Sequence, residues 1–146
     1  MLNLLKDVFS SLQRHKVRYV VIGGIAAVLH GVPRATFDLD ILIDANSDNA
    51  RNLLDALLEA RLGTASLTTP EELLSQEITI FKDRVRIDVQ TSTPGLKFEE
   101  AWERRETMEY QKQKFYVASR KDLISSKRAA GRPVDLEDVR LLELKK

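Results

Sequence analysis

The segment from Phe37 to Ile43 constrains the fold of this chain more than any other, because apolar and acidic side chains alternate along it. Alternation with a period of two is typical of a half-buried strand, whose successive side chains point to opposite faces. One face of the predicted strand, Phe37 included, is apolar and builds core, while the other presents Asp38 and Asp40 side by side. Adjacent like charges repel each other. The pattern therefore favours a cation site over two aspartates that merely face solvent.

A second strand with the same alternation is predicted around Asp88. Its apolar positions are Val85, Ile87 and Val89, and its polar positions are Arg84, Arg86, Asp88 and Gln90. If the two strands are neighbours with their apolar faces turned the same way, Asp88 joins the other two aspartates. Three carboxylates can hold two divalent ions ~3.5–4 Å apart. For Asp88 alone, the solvent-exposed side of a half-buried strand explains the pattern equally well.

The amino-acid composition restricts which metal this site can take. The chain contains no cysteine, so the ligands must be carboxylates or histidines. Mg²⁺ takes oxygen ligands at ~2.1 Å and usually keeps waters or substrate phosphates in its coordination shell, which suits an Asp-x-Asp pair. We therefore predict a magnesium site with Asp38, Asp40 and Asp88 as metal ligands.

The rest of the chain predicts an α+β fold, with a mixed β-sheet flanked by helices and with two C-terminal helices. Strands are predicted at residues 19–22, 37–43, 78–81 and 85–89, and one or two strands within 109–117. Helices are predicted at residues 2–15, 25–30, 52–62, 98–104, 119–130 and 134–144, and residues 63–70 are predicted to form a loop. The length of 146 residues fits a single domain spanning residues 1–146.

Charge is distributed unevenly along the chain. The net charge of +1 argues against a protein that coats nucleic acid by charge alone, yet residues 1–110 carry −4 and residues 111–146 carry +5. This basic C-terminal quarter is either an ordinary solvated helix face or a surface that faces phosphate.

The sequence lacks a signal-peptide pattern and a membrane-spanning apolar run, so we expect no membrane association and a cytoplasmic location.

Two consecutive motifs resemble the nucleotidyltransferase superfamily, which has a polymerase-β-like fold. They are Val21-Ile22-Gly23-Gly24 and Arg34-Ala35-Thr36-Phe37-Asp38-Leu39-Asp40, and the family pattern is a glycine pair that opens a helix followed by Asp-x-Asp on a strand. Residues 23–44, 121–127 and 132–138 look more narrowly like small bacterial stand-alone domains of the AbiEii type. The resemblance implies an NTP donor, Mg²⁺ or Mn²⁺, and transfer of a nucleoside monophosphate to an acceptor hydroxyl with release of pyrophosphate.

The resemblance also implies roles for individual residues. Asp38, Asp40 and Asp88 would be catalytic as well as metal-binding, with Asp88 assisting the incoming hydroxyl. The backbone N–H groups of Gly23 and Gly24, at a helix start, can receive phosphate oxygens, and glycine allows close approach.

Three further residues are candidates for nucleotide binding. Arg34 and Thr36 precede the predicted strand at 37–43 and would contact phosphate or stabilise the loop before that strand. For Thr36, a role in a local turn is equally open. Lys127 would reach the β- and γ-phosphates if its helix packs beside the acidic strands, and it is otherwise a solvated lysine. Asp135 and Asp138 would then orient Lys127 or Arg132 rather than bind metal.

The acceptor and the base of the NTP have no signature in this sequence. A small molecule, a protein side chain and an RNA end are all open as acceptors. One alternative to an enzyme is a non-catalytic or toxin-like module of the same fold that binds nucleotide or RNA. Another is a subunit that works only with a separate helical partner protein. Release of pyrophosphate distinguishes the enzyme from the module, and co-purification identifies the partner.

Overall fold

A six-stranded mixed sheet is the centre of the fold in the computed structural model, which describes residues 2–144. Its strands are β1 (Tyr19–Ile22), β2 (Leu39–Ile43), β3 (Ile78–Lys82), β4 (Arg86–Gln90), β5 (Glu106–Tyr110) and β6 (Gln113–Val117). Their order across the sheet is β3-β4-β2-β1-β6-β5. The β2–β4 and β1–β6 pairs are parallel, and the other pairs are antiparallel. The predicted α+β fold with a mixed sheet is confirmed.

Seven α-helices surround this sheet in the described part of the chain. They are α1 (Leu2–Arg14), α2 (Gly23–Leu29), α3 (Ser47–Glu59), α4 (Pro70–Leu74), α5 (Phe98–Glu103), α6 (Arg120–Ala130) and α7 (Pro133–Leu144). None of these helices is long and apolar enough to cross a membrane. The predicted loop at 63–70 is partly wrong, because a 3₁₀ helix occupies Gly63–Leu67. The predicted start of α3 is five residues late, because Asn46 caps the helix by accepting a hydrogen bond from the Asn49 N–H.

The main hydrophobic core lies on one face of the sheet. Helices α1 and α3 lie against it and contribute buried side chains at helical spacing, among them Leu5, Val8, Phe9, Leu12, Leu53 and Leu57. The strands contribute every second residue, including Leu39, Ile41 and Ile43 of β2 and Ile87 and Val89 of β4. These strand residues are the ones that the alternation assigned to core, so their polar neighbours point to the opposite face.

The opposite face of the sheet is only partly covered. Helix α5 packs there on a small apolar cluster formed by Val20, Ile22, Leu42, Ala101 and Ala118. On this face Asp40 of β2 is the register partner of Ile22 of β1. Asp88 of β4 is next to Asp40, and Ile80 of β3 is next to Asp88. Ile80 is 52% exposed. The face therefore changes from buried and apolar at β1 to open and acidic at β2 and β4.

Candidate functional site

The eight residues that the sequence predicts for the site line a single cavity of about 480 Å³. These residues are Gly23, Gly24, Arg34, Thr36, Asp38, Asp40, Asp88 and Lys127. They come from the start of α2, the segment before β2, strands β2 and β4, and helix α6. Acidic, basic and glycine positions that are far apart in sequence thus share one space.

A larger cavity, of about 850 Å³, lies against the opposite face of α6. It is lined by Gly95, Glu106, Arg120, Lys121, Ile124, Ser125, Arg128 and Ala129. Glu106 is the one carboxylate in that lining, so this space offers no pair of carboxylates for metal-dependent chemistry. We therefore take the smaller, carboxylate-lined cavity as the candidate functional site.

Asp40 and Asp88 lie directly beside each other in this cavity. They are register partners in the parallel β2–β4 pair, so their side chains leave the sheet on the same face. The prediction that Asp88 joins the other aspartates depended on these two strands being neighbours, and they are neighbours in the sheet. The side chain of Asp88 is 16% exposed. Asp88 is therefore mainly buried and lies beside a second carboxylate, which does not fit a residue on the solvent-exposed side of a strand.

Asp38 differs from the prediction, because β2 begins at Leu39 and not at Phe37. The paired register ends at Leu39 with Ile87, so residues before Leu39 are released from the alternation of the strand. Phe37 is 77% exposed, and its predicted place in the core is wrong. The side chain of Asp38 is 48% exposed. Asp38 thus contributes a carboxylate from the segment directly before β2.

The carboxyl of Asp40 is the most perturbed acid of the cavity, with its pKa raised to about 7. Burial is the largest cause, and the neighbouring carboxyls of Asp88 and Asp38 raise the pKa further, whereas the charge of Lys127 lowers it. Burial and like charges both disfavour the ionised form of an acid. A divalent cation would remove this electrostatic conflict.

Asp40→Asn is expected to raise the melting temperature of the metal-free protein by a few degrees at pH 8. Between pH 3.8 and about 7 the folded protein keeps a proton that the unfolded chain releases, so the Asp40 carboxyl destabilises the fold increasingly as the pH rises through this window. The stabilisation by asparagine should therefore shrink as the pH is lowered from 7 to 4. Calorimetry in EDTA measures it, with the exposed Asp55→Asn as the control. An Asp40→Asn protein less stable than wild type at pH 8 would contradict the assigned electrostatics.

The glycine pair at the start of α2 allows site side chains to approach the backbone closely. Gly23 has a φ of +70°, in the left-handed region, and a Cβ there would overlap the carboxyl of Asp40. At Gly24, a Cβ would lie 2.9 Å from both Arg34 Nη2 and Thr36 Oγ1. Three predicted site residues therefore pack on the two glycines.

Gly23→Ala is expected to destabilise the protein by about 1–2 kcal/mol through backbone strain and to displace the Asp40 carboxyl. The matched control is Gly63→Ala, because nothing lies within 4 Å of a Cβ at Gly63 and its φ is not positive. Denaturant unfolding of both variants measures the difference. If the two alanine variants were equally stable, the close packing of Asp40 on Gly23 would be refuted.

Three basic side chains of the cavity contact two buried aspartates of α7, Asp135 and Asp138. Arg34 donates two hydrogen bonds to Asp138, of 3.1 and 2.9 Å. Lys127 Nζ lies 2.8 Å from Asp138 Oδ2 and 3.7 Å from Asp135 Oδ1, and Arg132 donates to Asp135. Lys127 is only 5% exposed, so its alternative interpretation as a solvated lysine is wrong. The contacts of Asp135 and Asp138 agree with the expected orienting role.

Arg86 is a site residue to which the sequence analysis assigned no role. Its guanidinium donates to both carboxylate oxygens of Asp88, at 2.9 and 3.3 Å, and Nε lies 3.7 Å from Asp38 Oδ2. Arg86 and Asp88 are two residues apart on one strand, which places them on the same face. That spacing was a readable signal for the ion pair. The contact between Asp138 and Arg34 gave no such signal, because 104 residues separate the two side chains in the sequence.

The side chains of the cavity fit a hard divalent cation by their chemistry. Asp38, Asp40 and Asp88 supply carboxylate oxygens, the ligand type that Mg²⁺ prefers. Among residues 2–144, no three His, Asp or Glu side chains are already arranged to hold one ion together. In this structure both oxygens of Asp88 accept hydrogen bonds from the Arg86 guanidinium. The donor set therefore fits the cation by the chemistry of its oxygens.

Comparison with known proteins agrees with this fold. A crystal structure of a candidate nucleotidyltransferase from Thermotoga maritima is similar to this chain, with a TM-score of 0.61 and 18% sequence identity. The similarity covers 99% of this chain and 93% of that one, and at this identity it supports the fold alone. No curated protein matches the sequence. The narrower resemblance to AbiEii-type domains stays a prediction.

The sequence profile of one protein family extends over nearly the whole chain. It matches residues 2–146, and the family is described as a nucleotidyltransferase of unknown function, DUF6036. The general resemblance predicted from the glycine pair and the Asp-x-Asp motif is thereby confirmed. The chain belongs to this nucleotidyltransferase family.

Proposed function

We propose that this protein is a metal-dependent nucleotidyltransferase that moves an NMP group from an NTP to an acceptor hydroxyl and releases pyrophosphate. The observation that carries the proposal is the pairing of Asp40 with Asp88 in a cavity that also contains Arg34 and Lys127. Phosphoryl-type transfer needs little covalent chemistry from a protein. It needs positioning of the phosphates and stabilisation of their charge. Paired carboxylates beside the positive charges of Arg34 and Lys127 are suited to both tasks.

The acidic side of the cavity would bind the metal and orient the acceptor. Asp38, Asp40 and Asp88 are the proposed ligands, and Mg²⁺ or Mn²⁺, when bound, would neutralise charge on the transferred phosphate and lower the pKa of an attacking hydroxyl. Asp88 would also orient that hydroxyl. A new bond forms between the acceptor oxygen and the α-phosphorus, while the bond from that phosphorus to the pyrophosphate oxygen breaks. The hydroxyl proton passes to a carboxylate or to water.

The basic side would hold the triphosphate. Lys127 Nζ has three N–H donors and its two aspartate partners use no more than two of them, so one donor is available for a phosphate oxygen. Arg34 donates from Nε and Nη2 to Asp138, and among residues 2–144 its Nη1 has no hydrogen-bond partner, so Nη1 can donate to phosphate. The Thr36 hydroxyl and the backbone at Gly23 and Gly24 would complete the contacts. Together these donors would stabilise the departing pyrophosphate.

A second candidate is a non-catalytic or toxin-like module of the same fold that binds nucleotide or RNA together with a helical partner protein. The bidentate contact between Arg86 and Asp88 favours it, because an engaged Asp88 is not free to bind metal. Such a module would bind an NTP without turnover. A partner that displaces Arg86 would turn the same cavity into an active site.

Release of pyrophosphate from each of the four NTPs separates these functions. The protein is incubated with Mg²⁺ or Mn²⁺ and with RNA, protein or small-molecule fractions of a cell extract, and binding of each NTP is measured in parallel. Transfer predicts metal-dependent release of pyrophosphate that requires one NTP and one of the acceptor fractions. Binding of NTP with no pyrophosphate in any fraction would favour the module.

A further inference from the structure

Arg86 occupies the place of a cation between two of the proposed metal ligands. Its guanidinium makes two hydrogen bonds to Asp88 and lies 3.7 Å from Asp38. Both oxygens of Asp88 are engaged, and the side chain of Asp88 is only 16% exposed. A metal ion that binds Asp88 must therefore take at least one oxygen from Arg86.

This ion pair can be opened only by movement of the side chain. An arginine guanidinium is not deprotonated in proteins, so Arg86 keeps its charge at any working pH. Its side chain is 39% exposed, which leaves space for it to turn away from Asp88 into solvent or towards a bound phosphate. Asp88 has less freedom, because its short side chain is only 16% exposed and lies beside Asp40 in the β2–β4 pair. The arginine is the mobile partner.

We propose that Arg86 is a built-in counter-ion that competes with the divalent metal for Asp88, and that metal binding releases its guanidinium. This inference rests on the proposed metal site. It makes metal affinity depend on a contact between two side chains of one strand. Anything that draws the guanidinium away, such as a phosphate of the incoming nucleotide, would strengthen metal binding. Metal and nucleotide would then bind cooperatively.

Titration with Mn²⁺ tests the competition, with free Mn²⁺ measured by electron paramagnetic resonance in the absence of nucleotide. Arg86→Gln is expected to bind Mn²⁺ about tenfold more tightly than wild type, because no charge-assisted hydrogen bond has to be broken. Arg86→Lys keeps the charge but loses the two-pronged geometry, so its affinity should lie between the two. Arg86→Lys also provides the test if Arg86→Gln does not fold.

Two further variants separate competition from a general effect of charge. Lys82 faces Arg86 across the β3–β4 pair and is exposed, so Lys82→Gln removes one positive charge nearby without touching Asp88. It should change Mn²⁺ affinity much less than Arg86→Gln does. In an Asp88→Asn background, the gain from Arg86→Gln should disappear, since the two side chains are coupled.

Each outcome of this titration decides a different claim. Mn²⁺ binding that requires Asp40 but is unchanged or weaker in Arg86→Gln would overturn the competition and leave the metal site intact. Equal gains in Arg86→Gln and Lys82→Gln would also overturn it, in favour of a general charge effect. No Asp40-dependent Mn²⁺ binding in either wild type or Arg86→Gln would overturn both the metal site and the competition.

Discussion

Asp40→Asn is expected to lower Mg²⁺-dependent NMP transfer by on the order of 10³-fold in a protein that remains folded. A metal ion supplies several kcal/mol of charge stabilisation in the transition state, and each 1.36 kcal/mol corresponds to a factor of about ten in rate. Asp40 is the carboxylate at the centre of the cavity, paired with Asp88 and packed on Gly23. Its substitution therefore removes the proposed metal ligand that another side chain is least able to replace. Turnover under saturating NTP measures the loss.

The control for this prediction is Asp55→Asn, which makes the same chemical change at an exposed position of α3. Circular dichroism should show both variants folded. A folded Asp40→Asn protein with the turnover of wild type would refute the role of Asp40 in metal-dependent transfer.

Lys127→Met is expected to weaken binding of a non-hydrolysable NTP by about 10- to 100-fold, the range of a lost hydrogen bond to a charged group. Methionine keeps much of the buried volume while removing the charge. Binding of the matching NMP should change little, because only the NTP carries the terminal phosphates that Lys127 would contact. Calorimetric titration of both nucleotides at fixed Mg²⁺ measures the difference.

Two further variants make the Lys127 experiment specific. Lys121→Met changes an exposed lysine on the opposite face of α6 and should leave both affinities unchanged. Lys127→Arg should restore part of the NTP affinity if it folds, since it restores the charge. An equal loss for NTP and NMP in Lys127→Met, or no loss for either, would remove Lys127 from the triphosphate site.

The placement of Asp40 and Asp88 was predictable because strand alternation is a local property. The sequence of each strand is sufficient to predict that its aspartate points away from the core. Because β2 and β4 are neighbours, the two aspartates then lie side by side. The position of Asp38 was not predictable in the same way. Alternation continues in the sequence to Phe37, but the paired register stops at Leu39, and no local pattern marks where pairing with another strand ends.

The network that holds the basic groups depends on contacts distant in sequence. Asp138 contacts Lys127 across the α6–α7 connection and Arg34 from the other end of the chain. Charge patterning indicated that the C-terminal quarter is basic, but it could not distinguish a solvated lysine from one that is 5% exposed. Burial of a charge becomes acceptable only when its partners are in place, and these partners come from the tertiary fold.

Two helix starts carry local signals in the sequence. Helix α4 follows Thr69, which caps it, and it begins with Pro70 and two glutamates, a typical helix start. The same applies to Asn46 before α3. The predicted loop at 63–70 includes Thr69, and the predicted helix at 52–62 begins after Asn46, although both are residue types that begin helices.

The most direct test of the proposed function follows the α- and γ-phosphates of one NTP separately. With Mg²⁺ and an active acceptor fraction, label at the α-phosphate should appear on the acceptor, and label at the γ-phosphate should appear in pyrophosphate in an equal amount. Both products should be lost with Asp40→Asn. Transfer of the γ-label to the acceptor, or release of inorganic phosphate in place of pyrophosphate, would contradict NMP transfer at this site.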